Sequence, residues 1–380
     1  MKDCLRRLLL SLLILNGLTT LVVAQDGAEE VLRVRTRVVF VDVLVKDKRT
    51  QEPITNLTRE AFEVLDEGKP RRLTYFSHDT GEHQRPLAII LLLDLWGGLS
   101  LGSSEPEIAE TTERMASVLA RLPAQDEVSI IASWFGDPVN ACRPVAFAHD
   151  APPFQTLQSL TRNHKAAAEA LRDLPKLIKR RGEAAEQQQQ QQQGSVTHPQ
   201  PGFLCAVDEV SRMAEERPGS QVVLVVITDD YFNFFSETET RDMTEKLLRR
   251  GVTVSGMLLK KNALGRFADA LTGRLVSTPV SLVTMKHLID QTGGLSARVR
   301  RPDEYAASLE TIIGNMSARY SLGFTLGEDE QDDGMLHRLE VKVKALDLRG
   351  KQRKLMVNAR RGYYKVDSKA RPASLKISPD

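Results

Sequence analysis

Four short apolar runs constrain the fold of this chain most strongly, because each is too continuous for a strand with one face in water. The runs lie at residues 86–94, 128–132, 222–227 and 252–258. Segments with helical spacing of apolar residues separate them, such as residues 104–122 and 203–216. Strands buried on both faces are typical of parallel sheets, and their alternation with helices indicates a doubly wound domain. We therefore predict a Rossmann-like α/β domain with a mainly parallel sheet over residues 86–317.

Two β-rich segments flank this region, at residues 31–80 and 318–366. Polar and apolar residues alternate from Arg33 in the first segment and from Arg338 in the second. This alternation indicates strands with one face on a core. A β segment of about 50 residues is marginal on its own. We therefore predict that the two flanks pack together as a β-sandwich-like unit, with the α/β domain inserted between them.

The first 24 residues have the pattern of an export signal. Lys2, Arg6 and Arg7 precede a short apolar run at residues 8–15, and residues 22–24 resemble a cleavage site. The run is too short and too polar for a membrane span, which needs about 20 apolar residues. We predict a signal peptide at residues 1–24, a periplasmic or secreted mature chain, and no stable membrane insertion after cleavage.

The charge balance excludes proteins that bind through bulk electrostatics. The chain has 52 Lys and Arg against 50 Asp and Glu, and loss of the signal leaves 49 of each. A neutral mature chain argues against nucleic acid as a partner and against a polybasic membrane-surface protein. Cys142 and Cys205 remain after cleavage, which is too few for a disulfide-dense scaffold. In an exported protein they can form a disulfide, and two buried free thiols are the alternative.

Residues 183–201 interrupt the α/β pattern. Seven consecutive glutamines at 187–193 are followed by a stretch containing Gly, Ser and Pro. This composition predicts a disordered surface insertion after a helix that ends near Arg181. The polar tail at 367–380 is also predicted to be disordered.

Acidic residues follow two of the apolar runs. Asp94 ends the first run, and Asp229 and Asp230 follow the third. Parallel α/β sheets bind ligands outside the carboxyl ends of their strands, so we expect these carboxylates at one face. Trp96 lies beside Asp94 in sequence, and an exposed aromatic there would suit a protein–protein hot spot. The alternative is that Trp96 only fills space.

The strand ending in Asp94 and the later strand ending in Thr228-Asp229 resemble the von Willebrand factor A (VWA) domain over residues 86–317. The flanking sequences LTREAFEVLDEGKPRRLTYFSHD, LIDQTGGLSARVRRPDEYAASLETIIGNMSARYSLGF and RLEVKV resemble the VWFA-related family catalogued chiefly from Acidobacteria. The resemblance implies a non-enzymatic, adhesion-type module whose carboxyl-end face binds a protein partner. It also implies a metal-ion-dependent adhesion site at that face.

That site departs from the family pattern D-x-S-x-S. Asp94 and Asp229 match the carboxylates, but Trp96 and Gly98 occupy the serine positions, and residues 201–203 lack the expected threonine. Mg²⁺ prefers several oxygen ligands in octahedral geometry. The resemblance therefore implies a degenerate site, in which Asp94 and Asp229 either bind Mg²⁺ or Mn²⁺ or only accept N–H bonds at strand ends. We expect no cofactor.

Residues 98–102 also spell G-x-S-x-G, the nucleophile elbow of α/β-hydrolases. The residues that would complete the catalytic set in the required chain order are Ser100, Asp229 or Asp230, and His287 or His337. Residues 94–97 lie between the last leucine of the apolar run and the motif, and the predicted helix begins only near Ser104, which argues against an elbow. A serine hydrolase is the second hypothesis, and a structural envelope protein without a ligand is the third.

Overall fold

The computed structural model describes most of the chain between residues 37 and 365. The described ranges are 37–78, 85–95, 104–136, 152–189, 200–228, 237–259, 285–346 and 350–365. The predicted signal peptide and the predicted tail lie outside these ranges. No helix within them has the length and apolar character needed to cross a membrane.

Strands and helices alternate through the central part of the chain. The strands are β1 (Arg37–Asp47), β2 (Phe62–Asp66), β3 (Lys69–Arg71), β4 (Tyr75–Ser77), β5 (Leu87–Asp94), β6 (Glu127–Ser133), β7 (Phe135–Gly136), β8 (Phe154–Thr161), β9 (Gln200–Pro201), β10 (Gln221–Thr228), β11 (Thr253–Leu259), β12 (Ser296–Val299), β13 (Tyr320–Leu326), β14 (Leu336–Val343), β15 (Leu355–Asn358) and β16 (Gly362–Tyr364). The helices are α1 (Glu105–Leu119), α2 (His164–Arg172), α3 (Leu174–Gln189), α4 (Phe203–Glu215), α5 (Glu237–Arg249), α6 (Met285–Thr292) and α7 (Pro302–Ser317).

Six strands form one sheet in the order β12-β11-β10-β5-β6-β8. All neighbours are parallel except the edge strand β8, which is antiparallel to β6. When β5 is counted as the first strand of the sheet, the order is 3-2-1-4-5-6, that of a doubly wound fold. The predicted α/β class is therefore confirmed, and the strand order reverses between β5 and β10.

The sheet is covered on both faces, which explains its continuous apolar runs. Leu91 and Leu93 of β5 pack into the layer with α1, α2 and α7. Leu92, between them, packs into the opposite layer with α4, α5 and α6. Every residue of β5 and β10 is buried. Truncating one of these leucines to alanine is expected to cost about 2–5 kcal/mol.

The flanking segments pair with each other strand by strand. Two antiparallel sheets have the orders β15-β1-β13-β4 and β16-β14-β2-β3. In the first sheet Val39 of β1 lies opposite Phe324 of β13, and in the second Val64 of β2 lies opposite Val341 of β14. Both sheets contribute to one hydrophobic core. Neither flank therefore has a complete sheet without the other.

Tyr320, in the second flank, forms hydrogen bonds with a loop of the first flank. Its hydroxyl donates to the carbonyl of Ile54 at 2.8 Å and accepts from the N–H of Leu57 at 2.9 Å. Its ring lies 4.8 Å from that of Phe62 between centroids. A fully buried phenol needs such partners, because an unpaired buried hydroxyl is costly.

Two helix ends test the sequence predictions. Helix α1 begins as predicted after Ser104, whose backbone N–H donates to the carboxylate of Glu107 at 2.9 Å. Helix α3 does not end near Arg181 as predicted, since it continues to Gln189. Ala, Glu and Gln are good helix formers, so the start of the glutamine run extends the helix. Residues 190–199 lie outside the described ranges.

Candidate functional site

Three oxygen-bearing side chains end three neighbouring strands at the carboxyl edge of the six-stranded sheet. Asp94 ends β5, Ser133 ends β6 and Thr228 ends β10. The register places Asp94 opposite Ser133. It also pairs Leu93 with Ile227, which immediately precede Asp94 and Thr228. We call Asp94, Ser133 and Thr228 the oxygen row. It includes the switch point between β5 and β10, where open α/β sheets bind ligands.

The oxygen row lies on one face of the sheet. Each of its members follows by two positions a residue of the core layer beneath α4, α5 and α6, and those residues are Leu92, Ile131 and Val226. Side chains two apart on a strand share a face. The row therefore ends this apolar layer with oxygen atoms at the edge where the helix-connecting loops begin.

Thr228 and Asp94 are directly bonded across the switch point. The Thr228 hydroxyl Oγ1 lies 2.9 Å from Asp94 Oδ2 and donates to it. Thr228 is fully buried, and Asp94 is 7% exposed. Because burial of a carboxylate is costly without hydrogen bonds, this donor helps to keep the charge at the edge. The bond supports the interpretation of Asp94 as an acceptor, and the same two oxygens are of the type that Mg²⁺ prefers.

Ser133 differs from the other two members of the row. Its hydroxyl is buried and has no hydrogen-bond partner. Its backbone carbonyl accepts the N–H of Leu95 at 2.9 Å, which fixes the turn after β5. A buried hydroxyl without a partner can be satisfied by an ordered water or by a ligand. The oxygen row therefore contains one hydrogen-bonded pair, Thr228 and Asp94, and one hydroxyl without a partner, that of Ser133.

The position at which the resemblance places a threonine has no room for a side chain. Gly202 precedes α4, and its N–H donates to the carbonyl of Trp134 at 2.7 Å. A Cβ atom on Gly202 would lie 2.1 Å from the carbonyl oxygen of Pro153. The next residue, Phe203, is fully buried in the core. Backbone packing therefore explains why no hydroxyl residue occupies this position.

An aromatic residue and a cation lie at the same edge of the sheet, on the face opposite the oxygen row. Trp134 directly follows Ser133, and the guanidinium carbon of Arg181 lies 3.5 Å from the centroid of the Trp134 indole. Burial lowers the pKa of Arg181 from its usual range. Tryptophan and arginine are both enriched at protein interfaces. The sequence interpretation treated Arg181 only as the residue near which a helix ends.

Several predicted site residues lie outside the described residues. These are Trp96, Ser100, Asp229, Asp230 and Cys142. Asp229 directly follows Thr228 in sequence. Cys205 lies on α4, is 4% exposed and is disulfide-bonded. The pairing of Cys205 with Cys142 stays a prediction.

One group of described ligating residues lies close enough to share a metal ion, but it belongs to the flanking sheets. Ligand atoms of Asp66, Glu67 and His337 lie within 4.8 Å of one another. The guanidinium of Arg71 donates to the Asp66 carboxylate at 2.6 and 2.9 Å, so the negative charge of Asp66 is already paired with an arginine. His337 contacts Asp333 at 3.1 Å. The group is therefore better described as an ion-pair network.

The two histidines of the hydrolase hypothesis lie on different parts of the fold. His337 belongs to β14 of a flanking sheet, and His287 is exposed on α6. Ser100 and its candidate acids lie outside the described residues. Within the described ranges, the structure therefore contains no assembled catalytic triad.

No protein-family model matches the chain, and no curated protein matches it. Among solved structures, a von Willebrand factor type A protein from Catenulispora acidiphila is similar over 86% of this chain and 75% of its own, at 8% identity and a TM-score of 0.38. An aerotolerance-related membrane protein from Bacteroides fragilis matches over 60% and 98%, at 14% identity and a TM-score of 0.33.

The manganese-loaded TRAP protein of Plasmodium vivax is a third similar structure. It matches over 78% of this chain and 95% of its own, at 11% identity and a TM-score of 0.33. VWA proteins are thus among the structures that this chain is similar to. At these TM-scores the similarity carries no argument about the site, and the fold class rests on the strand order described above.

Sequence reasoning found Asp94 but missed Ser133 and Thr228. Both look like ordinary strand residues, and Thr228 was noted only as part of the Thr-Asp pair. A usable signal was present, because each is the first polar residue after an apolar stretch of a buried strand. Only the strand register shows that these two lie level with Asp94.

Proposed function

We propose that this chain is a non-enzymatic protein-interaction module whose carboxyl-end face binds a protein partner. The observation that carries the proposal is the Thr228–Asp94 bond at the switch point of the sheet. A buried carboxylate held at the place where doubly wound sheets bind ligands is unusual without a role there. The proposed face also includes Trp96, Asp229 and Asp230, because each lies within two positions of Asp94 or Thr228 in the sequence.

The stacked pair of Arg181 and Trp134 supports a protein rather than a small molecule as the ligand. It adds an aromatic ring and a positive charge at the same edge of the sheet, on the face opposite the row. Aromatic residues and arginine carry much of the energy of protein interfaces. The neutral mature chain adds no long-range attraction, so recognition depends on this local face.

Binding experiments with paired variants test the proposal. A partner captured by the mature chain, residues 25–380, is purified and titrated against variants by calorimetry. We expect Trp96→Ala combined with Asp229→Ala to weaken binding at least about tenfold, equivalent to about 1.4 kcal/mol. Asp126→Asn is the matched control, because Asp126 is a buried carboxylate at the opposite edge, where it accepts the Leu87 N–H at 2.9 Å.

Two outcomes would overturn this proposal. One is equal affinity of the partner for the native chain and for the double variant. The other is the absence of any saturable partner, which would favour the structural envelope protein.

We further propose that partner binding does not require Mg²⁺ or Mn²⁺. The Thr228 hydroxyl already donates to Asp94. The described part of the row supplies one carboxylate, which is little charge for a divalent cation. Calorimetric titration of the mature chain with each ion should show no stoichiometric binding. Binding that is abolished by Asp94→Ala would show a working metal site.

Export is a separate proposal that follows from residues 1–24. The mature chain should begin at Gln25 after cleavage. Mass spectrometry of the protein recovered from the periplasm or the medium, after expression of the full chain, measures the start directly. Recovery of an uncleaved chain in the membrane fraction would contradict cleavage.

A further inference from the structure

A polar cavity lies at the amino edge of the six-stranded sheet, opposite the oxygen row. It is located where this edge meets the flanking strands, and it is open to solvent. Its lining includes Arg85, which precedes β5, and Gln221, which begins β10. It also includes Arg319, between α7 and β13, and Ser321 on β13. We call it the arginine cavity.

Positive charge exceeds negative charge around the arginine cavity. Arg85 lies 3.7 Å from Asp42 in a loose ion pair, and Arg319 also interacts electrostatically with Asp42. Arg360 interacts with Asp42 and with Arg85. Among the described residues, three guanidinium groups therefore share one carboxylate. That carboxylate is partly engaged elsewhere, because it accepts the Ser321 hydroxyl at 2.6 Å.

The cavity lining contains hydrogen-bond donors without acceptors. The Nε–H groups of Arg85 and Arg319 are buried and have no partner, and the same holds for Nε2 of Gln221. Arg319 is 6% exposed and Gln221 is 7% exposed. Native proteins pair most of their buried donors, and guanidinium donors are the costliest to leave unpaired. Three such donors around one cavity indicate a missing acceptor.

Arg85 and Arg319 each donate a hydrogen bond to a backbone carbonyl through a terminal guanidinium nitrogen. One terminal nitrogen of Arg319 donates to the carbonyl of Gly293 at 2.6 Å, and one of Arg85 donates to the carbonyl of Ser220 at 3.1 Å. These bonds to backbone groups that do not line the cavity hold both side chains in place. The unpaired donors come from separate elements rather than from one planar fork. A tetrahedral acceptor with several oxygens fits such scattered donors better than a planar carboxylate does.

We propose that the arginine cavity binds a small tetrahedral oxyanion of the phosphate or sulfate type. The anion accepts from Arg85, Arg319 and Gln221 and neutralises the excess positive charge between the sheet and the flanking strands. It thereby connects β5 and β10 to β13. This site is independent of the proposed protein-binding face, because it lies at the other edge of the sheet.

Thermal unfolding of the mature chain in phosphate, sulfate, acetate and chloride at matched ionic strength tests the site. We expect phosphate or sulfate to raise Tm in a saturable way, since a ligand that binds only the native state stabilises it. Calorimetry should then give one anion per chain. A uniform effect of all four salts, or no saturable effect, would overturn the proposal. Equal stabilisation by acetate would show a carboxylate site instead.

Three variants assign the effect to the cavity. Gln221→Leu removes an unpaired donor, so we expect it to fold in chloride and to weaken phosphate binding by about fivefold, while Arg85→Gln should weaken it about tenfold or more. Arg121→Gln is the control for loss of one positive charge, because Arg121 is 66% exposed and pairs with Glu310. Weakening by Arg121→Gln equal to that by Arg85→Gln would show a general ionic effect and no site.

Discussion

The hydroxyl of Thr228 and the carboxylate of Asp94 are 134 positions apart in the chain and 2.9 Å apart in the fold. Each ends a central strand of the doubly wound sheet, and the strand order reverses between them. The chemistry of this edge therefore depends on a pair that forms only when β5 and β10 are neighbours.

Replacing Thr228 with valine should destabilise the protein. Valine keeps the shape but removes the donor, which leaves the buried Asp94 carboxylate short of one hydrogen bond, at a cost of about 1–3 kcal/mol. Urea denaturation of the native chain and of Thr228→Val measures the loss. Thr228→Ser keeps the hydroxyl and should retain the bond. Ser133→Ala is a second comparison, and it should not destabilise the protein, because the hydroxyl it removes is buried and unpaired.

Removal of the Tyr320 hydroxyl should weaken the joint between the two flanks. Tyr320→Phe leaves the Leu57 N–H and the Ile54 carbonyl without their partner, and we expect a loss of about 1–3 kcal/mol. Amide hydrogen exchange should show faster exchange in the loop at residues 54–57. Tyr75→Phe is the control, since the described contact of Tyr75 in this sheet is the edge of its ring on Phe40. A similar loss in both variants would contradict this specific role of the Tyr320 hydroxyl.

Asp47 should contribute to loss of stability in acid. Its carboxylate accepts from Arg353 at 2.9 Å and from the N–H of Arg49 at 2.8 Å, and these bonds lower its pKa to about 2. An unfolded aspartate has a pKa of about 3.9. Asp47 therefore binds a proton less tightly in the folded state than in the unfolded state. Its contribution to the free energy of unfolding is present above about pH 4 and is lost as the pH falls towards about 2.

The urea midpoint measured against pH tests this contribution. The native chain should lose more stability between about pH 4 and pH 2 than Asp47→Asn does, because the asparagine does not titrate. Identical pH profiles of the two proteins would show that the Asp47–Arg353 pair is not coupled to folding.

Reduction of the disulfide at Cys205 should destabilise the α/β region. We expect peptide mapping without reductant to recover Cys205 linked to Cys142. A loop of that length is expected to contribute about 2–4 kcal/mol. Urea denaturation with and without reductant measures the contribution, and Cys205→Ser should match the reduced protein. Recovery of Cys205 with another cysteine would show that the predicted pairing is wrong.

The central strands could be predicted from the sequence because burial on both faces leaves a continuous apolar run. Strand β8 could not, since it lies at the sheet edge and most of its residues are only partly buried. Its alternation is interrupted by register shifts between β6 and β8, which blur the period of two. Antiparallel pairing of an edge strand leaves no clear local signal in a chain of this class.

The candidate site was predictable in position but only partly in composition. Asp94 stands out because a carboxylate ends an apolar run. Ser133 and Thr228 become site residues through register alone, and the register depends on contacts distant in sequence. The arginine cavity was not predicted for the same reason. Arg85, Gln221 and Arg319 are far apart in the chain, and nothing local distinguishes them from surface residues.

Ser77 of β4 lies opposite Ser321 of β13 in one antiparallel sheet. By connectivity these two strands form a hairpin in which the whole α/β region replaces the turn. The strands that pair with the first flank are therefore synthesised only after the whole α/β region. Until then the strand edges of the first flank are exposed, and such long-range pairing favours slow folding. The stability of the finished sheet suffers little, because closure entropy grows only with the logarithm of loop length. Because Ser77 and Ser321 are paired, the two ends of the inserted region lie next to each other in the fold. A short turn could therefore replace the whole region and leave the flanking strands in register.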